Sequence, residues 1–170
     1  MIKFADKISE QWFNYVVENW SSKTNIIVFV PCASKKPYHS SITHKCFFKK
    51  LWNLWFAGTL DLVIVSEPLT VVPVDFDYPI MKYPEYDYPP RVIKKNPVEQ
   101  EIWRKRLNAF LNKHIKIRKY AILYKYHKEI LGNILRKHNV YAIYTERPYI
   151  TKSVHKLLKI MKRKENISYM

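Results

Sequence analysis

The stretch Asn25–His44, NIIVFVPCASKKPYHSSITH, sets the reading of the whole chain. Its first six residues form a continuous apolar run rich in β-branched side chains, as expected of a strand buried on both faces. The remainder, from Pro31 on, carries almost none of the Gly, Asn or Asp of a plain solvated loop. It brings a thiol, two lysines, a tyrosine, several hydroxyls and two histidines, groups that move protons, hold anions or attack carbon. Outward from this stretch the same alternation recurs. A helix over about residues 6–20 precedes the strand, with Ile8, Trp12, Tyr15 and Val16 at helical spacing. Another helix comes after it, placing Phe47, Phe48, Leu51, Trp52 and Trp55 on one face, with Gly58 as its stop.

LDLVIVS (60–66) is a second buried strand, KYAILYKY (119–126) a third and VYAIYT (140–145) a fourth. Between the second and third, Asn96–Pro97 reads as an N-cap with proline next, at the first helical position, and Glu99 at the third. That opens a helix over about 97–113 carrying Val98, Ile102, Leu107, Phe110 and Leu111. HKEILGNILRKH and the basic TKSVHKLLKIMKRK supply two more helices. Strand and helix alternating four times predict an α/β fold, with helices on both faces of a mostly parallel four-stranded sheet. Residues 67–96 break the rhythm with six prolines and four tyrosines, and read as one long functional loop. Ligands in such sheets bind outside the carboxyl ends of the strands. The loop after the first strand and SEPLTVVP after the second therefore meet on one edge.

The chain has 170 residues, enough for one domain with a real core. Thirty Lys+Arg against 14 Asp+Glu give a net charge of +16, which favours a polyanionic partner. No apolar run approaches membrane-spanning length, and the N-terminus lacks a secretory signal, so a cytoplasmic protein with no membrane partner is expected. Two cysteines exclude a disulfide framework and a four-cysteine zinc site. Cys46, among aromatics, reads as a small core side chain. Two glycines leave no phosphate-cradling or dinucleotide-binding glycine loop, and His39 with His44 suggests no metal set, so no cofactor is called for.

Three ordered blocks carry a family resemblance. Pro31-Cys32, Lys36-Pro37-Tyr38, Ser41 and His44 spell P-C-x3-K-P-Y-x2-S-x2-H; VSEPLTVVPVDFD and YPEYDYP are the second and third blocks. The arrangement, from about residue 25 to about 112, resembles the archaeosine synthase family, relatives of archaeal tRNA-guanine transglycosylase. The family's Val-Thr-Gly-x-Trp element is replaced here by RVIKKNPVEQEIW, and its transglycosylase barrel and RNA-binding PUA domain have no counterpart in residues 1–170. The resemblance implies a stand-alone catalytic-core domain with a three-layer, uracil-DNA glycosylase-like fold. It implies an archaeal tRNA-modifying transferase acting on the nitrile of a 7-cyano-7-deazaguanine base in the tRNA D-loop. Its partners would be tRNA, free lysine as co-substrate, and a separate transglycosylase, PUA-containing or radical-enzyme chain. The alternatives are a non-catalytic module that presents tRNA, or a glycosylase-like base reader.

A nitrile is a weak electrophile, so catalysis must protonate its nitrogen or trap its carbon. Cys32 beside Lys36 would be a thiolate nucleophile, or else would line the base pocket without bonding. His44 is a candidate proton donor or a neutral hydrogen-bonding group, and Glu67 the foremost acid because it abuts a strand end. Tyr38, Ser41, Ser66 and Tyr86 are candidates for base contacts, by hydrogen bonding or stacking. Asp75, Asp77 and Asp87 would bind the guanine-like edge or an incoming ammonium, or else pair with Arg91, Lys94 and Lys95. His39 is expected to be merely exposed. Lys35, Arg104, Arg106, Lys162 and Arg163 form the expected RNA footprint.

Overall fold

The computed structural model describes residues 1–167, so the final three residues of the chain lie outside it. Its centre is a five-stranded sheet of β1 (Ile26–Pro31), β2 (Asp61–Ser66), β3 (Thr70–Pro73), β4 (Arg118–Tyr124) and β5 (Tyr141–Thr145). The order is β3-β2-β1-β4-β5. β1, β2, β4 and β5 run parallel, and β3 pairs antiparallel with β2. The four expected strands are thus present, and a fifth corrects the count to a mixed sheet. β3 lies within the proline-rich segment read as loop. Its Pro73 closes the strand on the sheet's edge, where a missing N–H costs no ladder bond.

The helices are α1 (Lys7–Asn19), α2 (Lys49–Phe56), α3 (Pro90–Lys94), α4 (Pro97–Lys113), α5 (Lys125–Lys137) and α6 (Ile150–Glu165). The chain steps from β1 to β2 in one direction and from β3 past β1 to β4 in the other. Right-handed crossovers then put α2 on one face and α4 and α5 on the opposite face. α4 begins as its sequence dictates: the Asn96 side chain accepts from the Glu99 N–H at 3.1 Å, and Pro97 occupies the first turn. Glu99 also turns inward. Its carboxylate accepts from the N–H groups of Phe4 and Ala5 at 2.7 and 2.9 Å, tying the N-terminal segment to this helix. The indole of Trp12 on α1 donates to the Val71 carbonyl of β3 at 3.0 Å.

Periodicity misplaces a few side chains. In α1 the buried apolar residues are Trp12, Phe13 and Val16, while Ile8 and Tyr15 are exposed. In α4 Trp103 takes the core position and Val98 stands in solvent. The stretch before α2 is a π-helical turn, Thr43–Phe47, not α-helix. Its wider turn shifts the phase of the residues after it. Phe48, Leu51 and Trp52 are buried, but Cys46 is exposed, against its expected core placement.

Candidate functional site

The parallel strands end together, and their ends build one cleft of about 450 Å3. Cys32 leaves β1, Glu67 leaves β2, and Tyr124 ends β4, with Tyr126 in the first turn of α5. The cleft straddles the point where the chain's strand order reverses between β1 and β4. At its floor the Cys32 thiol donates to Glu67 Oε2 at 3.2 Å. The other carboxylate oxygen, Oε1, accepts from the Tyr126 hydroxyl at 2.6 Å and meets His127 Nε2 at 3.1 Å. His127 is oriented from behind: its Nδ1 accepts the Tyr124 backbone N–H at 3.0 Å. With Nδ1 an acceptor, the ring proton lies on Nε2, which therefore donates to Glu67.

This network sets the proton inventory. Burial alone would raise the Glu67 carboxyl, but donors from His127, Tyr126 and Cys32 hold it below the ordinary carboxylate range. The Cys32 thiol is pushed well above its usual value by burial and by the neighbouring Glu67 charge, with Lys36 opposing. The expected lysine-stabilised thiolate is therefore corrected. The resting pair is a neutral thiol hydrogen-bonded to a carboxylate, because the carboxylate is closer and less solvated than the ammonium. Lys36 is half-buried, and desolvation lowers its ammonium while Cys32, Asp87 and Glu67 pull the other way. Its Nζ sits 4.2 Å from the centre of the Tyr86 ring and donates to the Ser34 carbonyl at 3.2 Å.

The two loops expected to meet do meet: Cys32, Lys35, Lys36, Ser41, Glu67, Tyr86 and Asp87 all line this cleft. Ser66 lies just beneath, its hydroxyl 2.5 Å from that of Tyr86. Other candidates serve the frame. Tyr38 is fully buried, stacked on Tyr83 and hydrogen-bonded to Tyr86, so its ring faces no open space. His44 is also buried, with Trp52 Nε1 donating to its Nδ1 at 3.1 Å and its Nε2 donating to the Pro31 carbonyl at 3.0 Å. Burial lowers its pKa to about 4, so at neutral pH it is an uncharged strut under the residue before Cys32.

Asp77 is buried and accepts from the backbone N–H groups of Tyr38 and His39 and from Tyr83. It also meets the His39 ring at 2.8 Å, which leaves His39 half-buried where exposure was expected. Asp75 lies outside the cleft, bonded to Trp20 and Lys23. The partners of both aspartates thus differ from the expected Arg91, Lys94 and Lys95. Of the five expected RNA contacts only Lys35 lines the cleft. Arg104 pairs with Glu101, Arg106 donates to the Phe4 carbonyl, and Lys162 and Arg163 stand exposed on the last turn of α6. The sequence reading missed Tyr124, Tyr126, His127 and Arg147, all at the carboxyl ends of β4 and β5. Their position on the same sheet edge was the available signal. Among the described residues, no group of three or more His, Cys, Asp or Glu is placed to hold a metal ion, and no helix is long and apolar enough to cross a membrane.

Fold and site together define an α/β domain with a thiol–carboxylate cleft at the carboxyl edge of its parallel strands. The chain belongs to the family described as "Domain of unknown function (DUF5591)", whose model matches residues 8–161. It is related to archaeosine synthases. It is 25% identical over 146 residues to the archaeosine synthase subunit alpha of Methanosarcina acetivorans, covering 85% of this chain and 21% of that protein. It is 34% identical over 70 residues to the archaeosine synthase of Methanocaldococcus jannaschii, covering 38% of this chain and 12% of that one. The chain thus spans only 21% and 12% of the length of these relatives. The fold also matches the crystal structure of AF0587, a protein of unknown function, with a TM-score of 0.61 and 18% identity over 90% of this chain and 48% of that one.

Proposed function

We propose that this chain acts in archaeosine biosynthesis, as a catalytic-core domain that modifies the nitrile of a 7-cyano-7-deazaguanine base held in tRNA. The observation that carries the reading is the Cys32–Glu67 pair at 3.2 Å on the floor of a cleft able to take a flat base. Sulfur adds to the nitrile carbon to give a thioimide, and the thiol proton passes by way of Glu67 to the nitrile nitrogen. The resting shifts oppose transfer of the Cys32 proton to Glu67, so proton transfer runs with bond formation, as nitrogen gains basicity. The amine of lysine then attacks the same carbon and expels the Cys32 thiol, leaving an amidine. His127 and Tyr126 keep Glu67 charged and aimed.

Lys35, Lys36 and Arg147 on the cleft wall provide counter-charges for phosphate or for the amino acid's carboxylate. Asp87 is placed for its ammonium. The kinship proposed with uracil-DNA glycosylases accords with this, since those enzymes draw a flipped base into a pocket. The test is incubation of the chain with tRNA bearing the nitrile base, with and without lysine, and then intact-protein and nucleoside mass spectrometry. The expected result is a Cys32 adduct without lysine and a lysine-mass addition to the base with it. Full turnover by Cys32→Ser, folded as wild type, would rule out the covalent route. Binding of tRNA with neither adduct would leave the chain a presenting module.

A further inference from the structure

A second recess lies on the other side of the π-helical turn Thr43–Phe47. That turn faces the first cleft with Thr43 and the second with His44 and Lys45. The recess has a volume of about 370 Å3 and is walled by Trp52, Phe56 and Tyr78, with Lys45 and Lys49 at its side. Its aromatics form a connected set: Phe56 and Tyr78 meet edge to face at 5.0 Å, and both reach Trp55. Phe56 is 56% exposed and Tyr78 37% exposed. Large rings left in solvent beside exposed lysines are a costly way to build a plain surface. No carboxylate lines the recess among the described residues, and Asp77, which holds its His39, is buried and also engaged by Tyr83.

We propose that this recess holds an unpaired nucleotide of the same RNA strand whose target base enters the Cys32 cleft. A base stacks on the exposed Phe56 and Tyr78 rings, and the adjoining phosphates meet Lys45 and Lys49. This rests on the function proposed above and adds to it a second point of attachment. Flat rings with flanking ammonium groups are the recognised chemistry of single-stranded nucleic-acid sites. An apolar side chain of a protein partner would fill the rings but leave both lysines without a counter-charge. A nucleotide satisfies both. The π-helical turn is the partition that keeps neighbouring nucleotides apart, one in each recess.

The test is fluorescence titration of the full chain with a short single-stranded oligoribonucleotide carrying 2-aminopurine. Wild type should quench the probe, Phe56→Ala should weaken binding about tenfold with the salt dependence unchanged, and Lys45→Ala or Lys49→Ala should reduce the salt slope by about one each. Equal binding of an abasic oligonucleotide, or unchanged affinity in Phe56→Ala, would overturn the inference. So would capture of an apolar peptide at the recess that the RNA fails to displace. The free nitrile base, which has no flanking nucleotides, separates the two claims. If Cys32 forms its adduct with that base but Phe56→Ala is silent toward RNA, only the present inference falls. If the RNA result holds and no adduct forms, only the covalent reading falls.

Discussion

β2 carries a buried carboxylate at each end, and the two are used in opposite ways. At the amino end Asp61 Oδ2 accepts from the Ser22 hydroxyl, the Lys23 and Thr24 N–H groups and the Thr24 hydroxyl, at 2.6 to 3.0 Å. Every donor is backbone or hydroxyl, none of which titrates near neutrality, and the loop 22–24 wraps the group. At the carboxyl end Glu67 takes its bonds from a thiol, a phenol and an imidazole, and it opens onto a cleft. Burial and satisfaction are alike at both ends. The donor chemistry differs, and it separates a carboxylate that staples a loop from one that can exchange a proton.

That contrast can be broken or sharpened. The largest expected effect is on folding: Asp61→Ala strands the Lys23 and Thr24 N–H groups, while the Ser22 and Thr24 hydroxyls keep the Thr24 and Ile26 carbonyls, and it should cost about 3 kcal/mol, read as a lowered urea midpoint at constant slope. A stable Asp61→Ala protein would show that the amino-end carboxylate is dispensable and the comparison empty. Next, Glu67→Gln should keep the fold and slow Cys32 adduct formation about a hundredfold, since an amide accepts from Tyr126 yet takes no proton. If that variant unfolds but reacts normally once refolded by salt or osmolyte, Glu67 is a staple like Asp61.

A third effect is graded with pH. His44 is pulled by burial from an ordinary histidine value of 6.5 to about 4, so the unfolded chain binds the extra proton between those limits. Stability is therefore full above about pH 6.5 and falls on acidification toward pH 4, at no more than about 1.4 kcal/mol per unit from this group. Urea titrations across that window should be shallower in pH for His44→Gln. An unchanged slope would mean the ring is not buried as described. The smallest effect belongs to Lys23, which is exposed and paired with Asp75 at 2.9 Å. Solvent screens that pair, and Lys23→Ala should change stability by under about 0.5 kcal/mol.

Much of this was legible beforehand, and the failures have definite causes. The apolar runs announced β1, β2, β4 and β5, and Asn96-Pro97 announced α4 to the residue. The encounter of Cys32, Lys36 and Glu67 came from strand ends alone. β3 was hidden because prolines argue against strands, although an edge tolerates them. Tyr126 and His127 were hidden because the apolar run KYAILYKY reads straight through the end of β4, which stops at Tyr124. Cys46 was misplaced because a single wide turn changes which way side chains face, and composition carries no trace of it, whereas His44 takes the neutral hydrogen-bonding role that was one of its two readings. Charge was the weakest guide, since Arg104 and Arg106 direct theirs at groups of the molecule itself.

The bond from the Trp12 indole to Val71 has a consequence for assembly. An outermost strand with free backbone groups invites another chain to extend the sheet. On the β3 margin, α1 lies across that opportunity and occupies one of its acceptors. Oligomers built by strand addition would then have to grow from β5, the margin farther from Glu67, and would leave the β2–β3 hairpin that carries it unencumbered.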